Sequence, residues 1–155
     1  NFWRLFRSGN HTGITVYQAQ LLENAEMNTL QRSLYKIKSQ KVYDYFSGSY
    51  SSEEVEESID VVTSTRDLPL DVMLDAEIFS WFINTFHING LSTFYSRFAN
   101  RYLGVEYKDF YNELFEFLQS DSWFVNEQQA IRRNFEEWFE NGKISKSRGV
   151  ECLSR

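Results

Sequence analysis

The sequence predicts an α+β protein: a short N-terminal α/β piece, a small β element, then a C-terminal bundle of about four helices. Three observations lead there. Large aromatic side chains recur at helical spacing from Phe79 through Trp81, Phe82, Phe86, Phe94, Tyr95, Phe98, Tyr102, Tyr107, Phe110, Tyr111 and Phe115 to Phe117. Rings this size bury much apolar area, so several helices must pack together. Runs of β-forming residues lie between residues 13 and 64. Stop signals separate the periodic runs at Asn89-Gly90, Gly104 and Asn141-Gly142.

In chain order, Phe2–Arg7 reads as the end of a helix stopped by Ser8-Gly9-Asn10. Ile14, Thr15, Val16 and Tyr17 after Gly13 predict a strand over 13–21. Asn28 is placed to cap a short helix over 29–35. Strands are expected over 37–46 and 58–64, paired as a hairpin across the polar loop SGSYSSEEVEE. Asp67 and Pro69 mark the start of a first long helix over 69–88. A second helix carries Leu91, Phe94, Tyr95, Phe98, Tyr102 and Leu103 at i, i+3, i+4, i+7 spacing, the pattern of a core-facing stripe. In the third, Tyr107, Phe110, Tyr111, Leu114, Phe115 and Leu118 oppose Lys108, Asp109, Asn112, Glu113 and Glu116. Asn126 and Gln129 form a capping-box pattern opening a fourth helix through Ile131, Phe135, Trp138 and Phe139. The tail KISKSRGVECLSR lacks periodicity and is expected to be loose.

Composition narrows the function classes. A net charge of −6, with 16 basic against 22 acidic residues, counts against nucleic-acid binding, which needs a basic face. The acidic run Glu53, Glu54, Glu56 and Glu57 reads as a solvated loop or strand flank rather than a docking patch. A single cysteine, Cys152, excludes an internal disulfide and a cluster held by several thiolates within this chain. A cytoplasmic setting fits that usage. No apolar run approaches the ~20 residues of a membrane span. The chain opens with Asn1 on an aromatic, basic segment, and a piece of a longer polypeptide is expected.

The order of short motifs resembles the C-terminal region of radical SAM enzymes that carry a cobalamin-binding domain. LLENAEMN (Leu21–Asn28) is similar to the family's L-P-N-A/S-P/E-M segment, with Glu23 where Pro is usual. Tyr35-Lys36-Ile37 is similar to its Tyr-x-Ile, VVTSTRDLPLD (Val61–Asp71) to its strand–turn–helix, FSWFINTFHINGL to its aromatic-His-Gly helix, and GVEYKDFY (Gly104–Tyr111) to its G-I/V-x-Y-x-x-F-Y segment. The resemblance, which runs from about residue 2 to 118, implies residues 1–27 as the end of a partial α/β barrel; the local patterns give 28–68 as a short helix and two strands, 69–142 as a helical domain and 143–155 as a loose tail. It implies an accessory domain that covers the barrel and lines the substrate side. It also implies a [4Fe–4S] cluster, S-adenosylmethionine and cobalamin for the full-length protein. None of these is expected in this chain, which lacks the C-x-x-x-C-x-x-C motif and should be inactive alone. The implied partners are the remainder of its own polypeptide and a small-molecule substrate of unknown identity. The alternative is a non-catalytic helical protein-interaction module.

Two residues are candidate catalytic groups. His87 offers an imidazole able to bond a substrate or act as acid or base. Its other reading is a histidine at a helix C-terminus, where the dipole favours the charged ring. Glu77 beside Trp81 is either a buried carboxylate or an exposed helix residue. Thr65, Arg66 and Trp81 are candidates for substrate binding: the first two at a strand-to-helix turn able to hold an anion, the third as a stacking surface. Each also reads as structural, Thr65 and Arg66 as a capped turn with a surface arginine, Trp81 and Trp138 as core.

Overall fold

The computed structural model describes residues 2–14, 16–43 and 58–142. It is α+β and about 61% helical, with a small three-stranded antiparallel sheet followed by C-terminal helices. The acidic run at 53–57, the last residues of the second expected strand, the tail and Cys152 lie outside the described residues. The described elements are α1 (Phe2–Arg7), β1 (Gln20–Leu21), α2 (Leu30–Leu34), β2 (Lys38–Tyr43), β3 (Ser58–Ser64), α3 (Leu70–Ile83), α4 (Thr93–Leu103), α5 (Tyr107–Leu118) and α6 (Ser122–Asn141). Two compact units divide them: residues up to 17 with 75–131, and 18–74 with 132–142.

The second unit holds the sheet, in the order β1-β3-β2 with both pairings antiparallel. In β2–β3, Gln40 faces Val61 and Val42 faces Ile59, with a register shift between Lys38 and Ser39. Alternation puts Val42 and Val61 in a core with Leu74 and Phe139, and Ile59, Met73, Phe135 and Trp138 pack around it. Of the strand expected over 13–21, the described residues form one only at Gln20–Leu21; Val16–Ala19 carry no regular structure, and Thr15 lies outside the described residues. With Val16 and Tyr17 exposed, the run lacks the half-buried surface that β-propensity reflects. Asn28 does not cap α2. It ends a 3₁₀ turn, Glu26–Asn28, and its Oδ1 accepts from the Arg32 guanidinium at 2.8 Å. Asp67 does not cap α3 either. The Thr65 hydroxyl accepts the Leu68 N–H at 3.0 Å, while Asp67 pairs with Arg66.

The first unit is helical, and its core is aromatic. Phe6, Phe82, Ile83, Tyr107, Tyr111 and Phe124 are buried together, with Phe79, Phe86, Phe110, Leu114, Phe115 and Leu118 packed against them. Phe82 sits at the centre, with ring centroids of Phe86 at 4.9 Å, Phe115 at 5.0 Å, Phe79 at 5.7 Å and Phe124 at 6.0 Å. Most of these pairs are tilted or edge-on, as the ring quadrupole prefers. α5 follows its apolar stripe, although Phe117 points outward. α6 starts four residues before the capping box read from the sequence. Asp121 Oδ1 accepts the Phe124 N–H at 3.0 Å, so Asp121 is the cap and Asn126 lies inside the helix.

The largest departure is α4. Its periodic apolar residues face solvent: Phe94 is 73% exposed, Tyr95 65%, Phe98 48% and Tyr102 66%. The buried side is Ser96 and Ala99, continued by Ser92 just before the helix. Periodicity groups residues onto one face but does not say which face turns inward. Here the interior beside α4 is polar, and serines fit it.

Phe82→Ala should therefore cost about 3–5 kcal/mol, the range for deleting a buried phenylalanine. Phe94→Ala should stay within about 0.5 kcal/mol. Denaturant melts of the two variants check this, and similar losses would reject the outward orientation of α4.

Candidate functional site

A local change in helix winding places His87. α3 is regular to Ile83, and Asn84–Ile88 then form a π turn in which the Asn89 N–H bonds the Asn84 carbonyl at 2.8 Å. Such turns are rare and often mark functional sites. Gly90 closes the turn at φ +95°, a conformation glycine adopts without strain. The chain end is then pinned. The Phe86 carbonyl accepts the Ser92 N–H at 2.6 Å and the Ser92 hydroxyl at 2.9 Å, and the His87 carbonyl accepts from Gly90 and the Thr93 hydroxyl.

The His87 imidazole is fully buried, with Phe6 stacked on it at 3.7 Å and 20°. Its Nε2 lies 3.0 Å from His11 Nδ1, and its Nδ1 lies 2.6 Å from the Tyr111 hydroxyl. The Tyr111 hydroxyl is 3.0 Å from Ser96 Oγ and 3.2 Å from Ser92 Oγ. Counting protons assigns the direction of the chain. The Ser92 hydroxyl donates to the Phe86 carbonyl and the Ser96 hydroxyl to the Thr93 carbonyl at 3.1 Å. Each serine has one proton, so neither is left to donate to Tyr111, and the Tyr111 hydroxyl donates to Ser96 Oγ. His87 Nδ1–H then donates to Tyr111, and its bare Nε2 accepts His11 Nδ1–H. His11 keeps Nε2 as a lone-pair nitrogen.

The electrostatics favour the neutral form of both imidazoles. Burial, then His11, then Arg97 hold the His87 pKa down to about 4. Burial and then Arg97 lower that of His11. Burial raises Tyr111, against the opposing pull of its bonds to Ser92 and Ser96, and raises Tyr107 against Arg97. His87 does lie in the last turn of its helix, as the helix-end reading has it, but burial favours the neutral ring over the charged one that the dipole would stabilise. That dipole contributes roughly 0.3–1 kcal/mol, less than the cost of burying an unpaired charge.

His11 lines an open cleft of about 800 Å³ that is also bounded by Arg97, Arg101, Phe94, Phe98 and Tyr102. A cleft of this size suits a small molecule. It offers an imidazole, three guanidinium groups, of which that of Arg7 is paired with Glu106, and a row of rings. The chemistry available is acceptance of a proton at His11 Nε2, with His87 and Tyr111 fixing the ring.

Of the residues singled out from sequence, His87 lies in this chain of polar groups behind the cleft. Glu77 and Trp81 belong to the same unit but do not line the cleft, and Trp81 is half-buried with its ring 5.7 Å from Phe124. Thr65 and Arg66 belong to the sheet unit, Thr65 bonded to the turn and Arg66 exposed beneath Asp67 and 5.9 Å from the Tyr35 ring centroid. The sequence reading missed His11, Ser92, Ser96 and Arg97, and took Tyr111 only as core. A signal existed in the Ser92, Ser96, Ala99 spacing, which aligns small residues on one side of an aromatic helix.

No protein-family model matches the chain, and no curated protein matches it. Among the described residues no group of three or more His, Cys, Asp or Glu side chains is placed to hold a metal ion. Among them, too, no helix is long and apolar enough to cross a membrane.

The lowered His87 pKa sets a sign for stability. Between the ordinary value of 6.5 and about 4, the unfolded chain binds the proton and the folded chain does not. Stability from this group is complete above pH 6.5 and is lost as pH falls toward 4, on the order of 3 kcal/mol at about 1.4 kcal/mol per unit. The titratable and charged groups around it are His11, Tyr107, Tyr111 and Arg97. Denaturant melts at pH 7, 5.5 and 4 should show the wild type losing more than His87→Gln. Equal pH slopes would contradict a neutral buried ring.

Proposed function

We propose that this chain is the accessory end of a radical SAM enzyme of the type that carries a cobalamin-binding domain, acting in the cytoplasm, and that its helical unit forms part of the substrate wall. The observation that carries the substrate-wall reading is the buried polar chain from Tyr111 through His87 to His11, which ends at a cleft. An interaction module needs only an exposed face. Buried polar groups are commonly less stabilising than an apolar core of the same shape, so their presence favours a site. The order of motifs from Leu21 to Tyr111 supports the enzyme class.

In this reading the cluster belongs to the remainder of the polypeptide, since one cysteine cannot supply its thiolates, and the resemblance assigns S-adenosylmethionine and cobalamin there too. The residues of this chain bind and orient a substrate and hold a proton at His11 Nε2. Phe6 stacked over His87 keeps water from the buried end of the chain.

The intact gene product, purified without oxygen, tests this. It should contain a C-x-x-x-C-x-x-C motif and iron, and should cleave S-adenosylmethionine when reduced. His11→Gln should retain that cleavage but lower coupled turnover about 100-fold, the scale of a lost acid–base group. An intact polypeptide with neither the motif nor iron would overturn the enzyme class.

A further inference from the structure

We propose that the cleft above α4 binds a small flat molecule carrying a carboxylate or phosphate group. This deepens the substrate-wall reading and rests on it. Phe94, Phe98 and Tyr102 succeed one another at i, i+4 and i+8, so their rings form one row along the exposed side of α4. The Phe98 and Tyr102 centroids are 5.1 Å apart. Apolar rings left in water at a cleft wall offer stacking area to a planar ligand.

Arg97 and Arg101 stand one turn apart beside that row, and both line the cleft. Among the described residues neither Arg97 nor Arg101 has an acidic partner, whereas Arg7 is paired with Glu106. Arg101 instead lies over the Tyr102 ring at 5.5 Å. Like charges at i, i+4 repel, so the helix carries a cost that a bound anion would remove. A guanidinium fork accommodates the paired oxygens of carboxylate or phosphate. Arg7 contributes little, its charge being answered by Glu106. His11 Nε2, the lone-pair nitrogen, adds an acceptor for a ligand O–H or N–H.

Titration of the 155-residue chain with phenyl phosphate, benzoate, inorganic phosphate and benzyl alcohol, followed by nitrogen chemical shifts of His11 and the arginines, tests the site. Phenyl phosphate and benzoate should shift His11, Arg97 and Arg101. Inorganic phosphate, lacking the ring, and benzyl alcohol, lacking the charge, should each bind at least about tenfold more weakly. Arg97→Gln and Arg101→Gln, both exposed and so compatible with folding, should each weaken phenyl phosphate binding about tenfold, the scale of one charge-assisted hydrogen bond, with an unchanged melting curve. The proposal is overturned if the aromatic anions leave these groups unshifted at millimolar concentration, if either control binds equally well, or if the arginine variants bind as tightly as the wild type. Binding by this chain from a parent without iron would keep the site and remove the enzyme class. S-adenosylmethionine cleavage by a parent whose cleft ignores aromatic anions would do the reverse.

Discussion

The helical unit is organised around one buried group, the neutral imidazole of His87. A polar ring at zero exposure must have partners for both nitrogens or it destabilises the fold. Tyr111 and His11 supply them at 2.6 and 3.0 Å. Each partner imposes a further demand. Tyr111 needs an oxygen for its own proton, and Ser92 and Ser96 provide it. His11 must be held near, and α1 does this by placing Phe6 against both imidazoles, with centroid distances of 3.7 Å to His87 and 5.9 Å to His11.

That demand explains the orientation of α4. Turning Phe94, Phe98 and Tyr102 inward would bury rings against the Tyr111 hydroxyl and remove its serine partners. Turning the serines inward satisfies it and leaves the rings outside. The exposed aromatic row is thus tied to the polar interior, and the interior chain and the exterior cleft are two sides of one helix. Buried polar chemistry and a ring-lined, cationic wall sit within a few side chains of each other, and the functional reading draws on that adjacency.

The legible parts of the fold were those fixed by local pattern. β3 spans Ser58–Ser64 as its run of β-forming residues predicts, and α5 spans Tyr107–Leu118 because its stripe and its stop at Gly104 are both local. The illegible parts depended on distant partners. The His11–His87 bond joins residues 76 apart in sequence, and no spacing rule reaches that far. The inward face of α4 was decided by Tyr111 on another helix. Competing local signals misled at two places: Asp121 outranked Asn126 as a cap, and the β-forming run after Gly13 found a ladder partner only at Gln20–Leu21. His87 was visible as a candidate, but its protonation state was not, because burial rather than helix position sets it.

Nitrogen-detected NMR of the two histidine rings measures the central arrangement directly. At pH 7 and on acidification to about 5, His87 should stay neutral with its proton on Nδ1. His11 at pH 7 should be neutral, likewise protonated on Nδ1, with Nε2 bare. A His87 ring that takes up a proton near its ordinary value of 6.5, or that carries its proton on Nε2, would contradict the direction of the Tyr111–His87–His11 chain.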